Sequence, residues 1–320
     1  MRVSLISDIA PNYALAQAST LEKSLGNIVG LNLQNADKVY ISCIFKKNKE
    51  QMLGTAKYYE ALGCEILTGG SGISIEKHMP PEIEACQPDF SLYPVDYAFG
   101  FSVRGCIRNC KPHCIVPRKE GFLKHVGYGW IQGKEKIMDL SNNFLADPQS
   151  PEMLRWLIEQ KLKVCWNQGL DIRLVTEENA ALLDKCKSCD KKFERRRYYF
   201  AFDDLSIEQD VRRGVAILNE AGIRSEDLMF YEFVGLDTQT NQIRGLHKDD
   251  WRRYEILKEL GCKAFPMKYH SLDKELNLWA WWIIRRYAEI VPFDQLDRSL
   301  EGKKRKQELP ALPKAQTILT

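Results

Sequence analysis

The chain has 320 residues, of which 44% are hydrophobic and 28% charged, enough apolar material for one large or two moderate cores. Lysine and arginine number 46 against 43 aspartates and glutamates, so the net charge of +3 gives no reason to expect a general affinity for nucleic acid, although a local basic patch can still form. No apolar run is long enough to span a bilayer, and MRVSLISDIA lacks the basic flank and cleavage site of a secretory signal, so a cytoplasmic protein with no membrane partner is expected.

From the start, RVSLIS, KVYISCIF and CEIL are short apolar runs separated by the helix-like YALAQASTLEKSL and MLGTAKYYEALG. Strand, helix, strand, helix, strand predicts an α/β unit with a doubly wound, Rossmann-like parallel sheet over residues 1–95. The proline-rich MPPEIEACQPDFSLYP closes it, and the boundary falls near Val95. Beyond it, AFGFSVRG, KIMDLS, KVCWNQ, RRYYFAF, DLMFYEFVG and CKAFPMKY are six candidate strands, separated by helix-like segments such as SPEMLRWLIEQ and IEQDVRRGVAILNEAG. Six strands with crossover helices predict a partial (β/α)6 barrel over residues 96–290. LNLWAWWIIRRYAEIV is too apolar to stand alone as a helix and should pack across this body. Residues 291–320 form a charged, proline-punctuated extension, expected to be loosely held.

Ten cysteines without a secretory signal suit reduced thiols and metal ligands better than a disulfide framework. Cys106, Cys110 and Cys114 fall within nine residues directly after a predicted strand, and so short a loop can bring three thiolates around one inorganic cluster. Three ligands for four irons leave one iron open to a substrate carrying an amine and a carboxylate. The same thiols, completed by His113 or by Cys186 and Cys189, suit a structural zinc site, and spacing alone leaves the two readings even.

The residues around them, GFSVRGCIRNCKPHCIVPRKEG, resemble the cluster-binding loop of the radical S-adenosylmethionine (radical SAM) superfamily, where three cysteines follow the first barrel strand. The family spacing is C-x3-C-x2-C with an aromatic residue before the third cysteine, whereas the second gap here holds Lys111, Pro112 and His113. His113 either keeps a flat ring beside Cys114, near the adenine, or is itself a ligand. The resemblance implies a 4Fe–4S cluster on Cys106, Cys110 and Cys114 that passes one electron to the sulfonium of S-adenosylmethionine. A 5′-deoxyadenosyl radical would then abstract hydrogen from an unknown substrate, with a reductant such as flavodoxin or ferredoxin as partner.

NNFLADP, NQGLDIRL and FYEFVGLDTQT extend the resemblance, which covers residue 1 to about 295. It implies that Asn142 and Asn143 receive the methionine amino group, at the place of a glycine- and glutamate-containing family motif. Arg173 would pair with the methionine carboxylate, Gln168 or Asp171 would face the ribose, and Gly235 would let the backbone approach the cofactor. From the residues alone, Asn142 and Asn143 can also be read as a helix start and Arg173 as a surface ion pair. FYEFVGLDTQT is similar to the fifth-strand segment of the methylthiotransferase-like branch, which makes RNA methylation or methylthiolation the runner-up activity.

The first 95 residues look like the cobalamin-binding domain that precedes the barrel in some members. SDIAPNYALA contains Asp8 but not the cobalt-ligating histidine of the D-x-H-x-x-G loop, so cobalamin is not expected. Gly69 to Gly72 mark a tight turn, and the domain is expected to shape the substrate entrance or meet a partner. Cys186 and Cys189 read as an exposed insertion with free thiols, while Cys43, Cys64, Cys86, Cys165 and Cys262 read as small core residues. Arg195 to Arg197 and Lys303 to Lys306 read first as solvated surface, and His78, His125, His247 and His270 are not expected to be ligands. A non-enzymatic zinc protein that binds nucleic acid through these basic clusters is the competing reading.

Overall fold

The computed structural model describes residues 1–110, 114–237, 240, 242–269, 273–289 and 291–296. His113, His270 and the basic tail residues 303–306 lie outside them. The protein is α/β with parallel sheets.

The first sheet takes β1 (Arg2–Ser7), β2 (Ile28–Leu31), β3 (Lys38–Ser42) and β4 (Glu65–Gly69), with α1 (Tyr13–Ser24) and α2 (Lys49–Ala61) between them. Its order is β2–β1–β3–β4, all parallel, with Leu5 opposite Tyr40 and Leu31. Val3, Leu5, Val39 and Ile41 are fully or nearly fully buried because helices cover both faces, which is why apolar residues stand next to one another, as in Leu5–Ile6 and Val39–Tyr40–Ile41, instead of strictly alternating. Strand β2 and the short helix α3 (Pro81–Glu84) are elements of this region that the pattern did not predict. Strand β2 lies at the sheet edge with Ile28 66% exposed, so no hydrophobic period marks it.

The second region begins with β5 (Ala98–Gly100) and an antiparallel hairpin of β6 (Val103–Arg104) and β7 (Lys124–His125) that encloses the one-turn α4 (Val116–Lys119). Then come β8 (Lys136–Asp139), α5 (Ser150–Glu159), β9 (Lys163–Trp166), α6 (Glu177–Lys185), β10 (Lys187–Ser188) and β11 (Tyr198–Ala201). After these follow α7 (Glu208–Glu220), β12 (Leu228–Val234), α8 (Lys248–Glu259), β13 (Lys263–Lys268) and α9 (Lys274–Ile284). The strands form two parallel sheets, β10–β9–β8–β5 and β11–β12–β13. The Leu170 N–H donates to the Tyr199 carbonyl at 2.7 Å, and a parallel bridge from Leu170 to Phe200 joins them beyond the end of β9.

One core runs through this region, with Phe99, Ile137, Val164, Phe200 and Phe230 fully or nearly fully buried, and it takes in Ala16 of α1. Helix α9 packs Leu276, Trp279 and Trp282 into a second cluster with Val234 of β12 and Trp251 of α8. It stops at Ile284, before the end of the predicted apolar run, because Arg286 takes a left-handed conformation with φ +64°. Among the described residues no helix is long and apolar enough to cross a membrane.

The segment from Cys186 to Arg197 departs from expectation. It is not an exposed insertion: Cys186 and Cys189 are 5% and 7% exposed, because β10 adds an edge strand to β9 and draws both thiols into the core. Burial pushes the Cys186 thiol up to about 12, so it stays protonated and inert. Arg196 binds Asp184 at 2.6 Å, and buried Arg197 donates to the Glu226 carbonyl at 2.8 Å, so neither reaches for phosphate.

Candidate functional site

The three cysteines lie on the loop of the β6–β7 hairpin. Its neck is fixed by backbone geometry: Gly105 has φ +75°, and a Cβ there would stand 2.3 Å from the Phe122 carbonyl oxygen. The Cys106 N–H donates to the Gly121 carbonyl at 3.3 Å, and the Cys114 N–H to the Cys110 carbonyl at 3.2 Å, which folds the loop back on itself. Arg104 and Glu120 pair across the neck at 2.6 Å.

A buried polar knot anchors the hairpin base to the end of β8. Asp139, fully buried, accepts from Ser102 Oγ and Ser141 Oγ at 2.5 Å each and from the Tyr128 hydroxyl at 2.8 Å. Ser141 Oγ accepts from the Val103 N–H at 2.8 Å. A carboxylate with every partner supplied is stable in a core and rigidifies the strand end that carries it. A second tie runs from His125 Nδ1 on β7 to the buried carboxylate of Asp147 at 2.8 Å. Both ties hold the cysteine hairpin against the loop bearing Asn142 and Asn143.

Around Cys106 the predicted residues converge. Asn143 Nδ2 donates to Cys106 Sγ and to Asp171 Oδ2, both at 3.4 Å. Asp171 caps the short turn after β9 and binds Arg173 at 2.7 Å through Nε and Arg108 at 2.9 Å. Burial alone would raise the Asp171 pKa, but Arg173 and Arg108 hold the carboxyl below its usual range. Burial pushes the Cys110 and Cys114 thiols up. Arg173 draws Cys110 partly back, whereas neighbouring cysteines push both thiols further up, a sign that the three sulfurs feel one another. Each thiolate repels the next, so the thiols stay neutral until a cation takes their protons' place.

Buried side-chain carbonyl oxygens of Asn142, Asn143 and Asn167, at the ends of β8 and β9, have no hydrogen-bond partner. Buried polar atoms are rarely left unpaired, so three unused acceptors here suit a ligand that donates hydrogen bonds. Among the described residues no three His, Cys, Asp or Glu side chains already stand in a closed metal-holding arrangement; the cysteines share one loop instead.

The structure thus brings Cys106, Cys110, Asn143, Asp171 and Arg173 together, with Cys114 on the same loop. Asn142 is beside them in the chain but makes no bond to a thiol. Gln168 is exposed in the turn after β9. Gly235 has φ +86° at the end of β12, which only glycine adopts easily, and among the described residues no hydrogen bond ties it to the thiol loop. Arg108 and Asp139 were missed by the sequence reading. Arg108 had a visible signal, a cation between two cysteines, whereas Asp139 looked like one more strand-end polar residue. No protein-family model matches the chain, and no curated protein is similar to it at a significant level.

Proposed function

We propose that this protein is a radical SAM enzyme acting on a substrate still to be identified, with a 4Fe–4S cluster on Cys106, Cys110 and Cys114. The six parallel strands β5, β8, β9, β11, β12 and β13 are read as a partial (β/α)6 barrel with the thiol loop at its carboxyl end, where such folds place their chemistry. One observation carries the proposal. An amide from the β8 loop, the Asp171 carboxylate and Arg173 from the β9 loop, and Arg108 from the thiol loop itself are linked at Cys106, with the unpaired Asn143 oxygen among them. The donor set fits: three thiols within one loop can hold a cluster and leave one iron for an exogenous ligand.

When bound, the cluster supplies the electron that cleaves the sulfonium carbon–sulfur bond of S-adenosylmethionine. The chain's own groups do the binding. The unpaired Asn142 and Asn143 oxygens would accept from the methionine ammonium, and Arg173, oriented by Asp171, would meet the carboxylate. The Asn143 amide donates to Cys106 Sγ, a bond of the kind that raises the potential of a cluster on that sulfur. Cobalamin has no part in this reading, and an electron donor such as flavodoxin or ferredoxin does.

The test is anaerobic iron and sulfide quantitation with an assay for 5′-deoxyadenosine. About four irons per chain, lost when Cys106, Cys110 and Cys114 are replaced by alanine, together with cofactor cleavage, is the expected result. Zinc without sulfide refutes it.

A further inference from the structure

We propose that the face of the cysteine hairpin is a binding surface for single-stranded nucleic acid, with Phe122 as the stacking platform for one base. The proposal names the substrate class of the site above and to that extent rests on that reading.

The charge of the chain is concentrated here. Residues 103–125 contain Arg104, Arg108, Lys111, Arg118, Lys119 and Lys124 against Glu120 alone, an excess of five, whereas the whole chain has an excess of three. The rest of the molecule is therefore slightly acidic on balance, even though Arg195 to Arg197 and Lys303 to Lys306 form further basic clusters. Arg104 is committed to Glu120 at 2.6 Å and Arg108 to Asp171 at 2.9 Å. Lys119 reaches Glu120 only at 3.8 Å, after Arg104 has taken that carboxylate. Arg118 and Lys124 are exposed and have no ion pair among the described residues.

Between Arg118 and Lys124 in the chain comes Phe122, 73% exposed, the most exposed large apolar side chain among the described residues. Ile107 and Val126 are also exposed on the same hairpin. An open aromatic ring flanked by free cations is the arrangement that binds unpaired nucleotides: the ring takes the face of a base and the cations take flanking phosphates. An acidic peptide would use the charges and leave the ring idle. A duplex hides its base faces, so it too has no use for Phe122.

The placement ties this surface to the thiols. The Phe122 carbonyl packs against Gly105, and the Gly121 carbonyl accepts from the Cys106 N–H. Phe122 is thus locked, through backbone, to the residue that carries the first cysteine, and a base stacked on it is presented beside the cluster loop.

The test is fluorescence anisotropy of the full chain with a labelled, unstructured RNA of about 12 nucleotides, titrated from about 50 to about 200 mM salt. Phe122→Ala is expected to weaken binding roughly tenfold and leave the salt slope unchanged. The double variant Arg118→Ala, Lys124→Ala is expected to reduce the slope by about 1.4, that is about 0.7 for each phosphate no longer neutralised. Both substitutions are on the surface, and an unchanged thermal midpoint checks their folding. The proposal is overturned if the protein does not bind RNA at low salt, if both variants bind like wild type, or if duplex or polyglutamate displaces the labelled strand as well as unlabelled RNA does. Iron content judges the reading of the thiols and RNA binding judges this one, so either can fail alone.

Discussion

Glu232 offers a quantitative check on the packing behind the site. It lies on β12 with no exposed surface, and neither carboxyl oxygen has a hydrogen-bond partner. Burial pushes its pKa to about 8 from 4.5; Arg253 draws it back in part, and Asp250 and Asp203 push it further up. The folded protein therefore holds a proton on Glu232 that the unfolded chain releases above 4.5. Between pH 4.5 and 8 the unfolded state binds fewer protons, so stability falls as pH rises, by about 1.4 kcal/mol per unit. Across the window, that is about 4–5 kcal/mol for this group. Glu232→Gln keeps the shape and removes the proton, so the variant should match wild type near pH 5 and exceed it near pH 8 by an amount approaching that figure. Urea unfolding at pH 5, 6, 7 and 8 under reducing conditions measures the difference. Equal pH slopes in the two proteins, or a glutamine variant weaker at every pH, would refute the reasoning.

Other expectations bear on the site itself. Asp171→Asn deprives Arg108 and Arg173 of their shared carboxylate and should cost about 1–3 kcal/mol, discounted for the partial exposure of both arginines. Because the Asp171 pKa lies below its usual value, the stabilisation it gives is present above pH 3.8 and disappears on acidification through the folded pKa, which an acid titration of wild type against variant should show. Gly105→Ala forces a left-handed alanine against the Phe122 carbonyl, so a loss of about 2 kcal/mol or more and reduced iron uptake on reconstitution are expected, read by melting and metal analysis. Cys189→Ser alters a thiol of the core, not of the hairpin loop, and iron content should stay at the wild-type level while the melting point falls.

Much of the scaffold was legible before folding was considered. RVSLIS, KIMDLS and DLMFYEFVG declare themselves because burial on both faces favours largely apolar runs, which each segment supplies by itself around a buried polar residue, Ser4, Asp139 or Glu232. The three cysteines on one loop were equally plain, since their separation is a property of nine consecutive residues. Strand β2 was not, because an edge strand half in water has no period to read. Cys186 and Cys189 were misjudged for a related reason: KCKSCDKKFERRR is polar in composition, and only its pairing with β9 buries it.

What chain order alone determined was therefore the alternating α/β plan and the identity of the clustered thiols. What the tertiary structure decided was company. Asn143 reaches Cys106 across 37 residues and Asp171 reaches Arg108 across 63, while Asp139 gathers hydroxyls from three segments and Phe122 stands exposed over the backbone that fixes the first cysteine. Hydrophobic period is written in neighbouring residues, whereas hydrogen-bond partners and exposure depend on which strand ends meet.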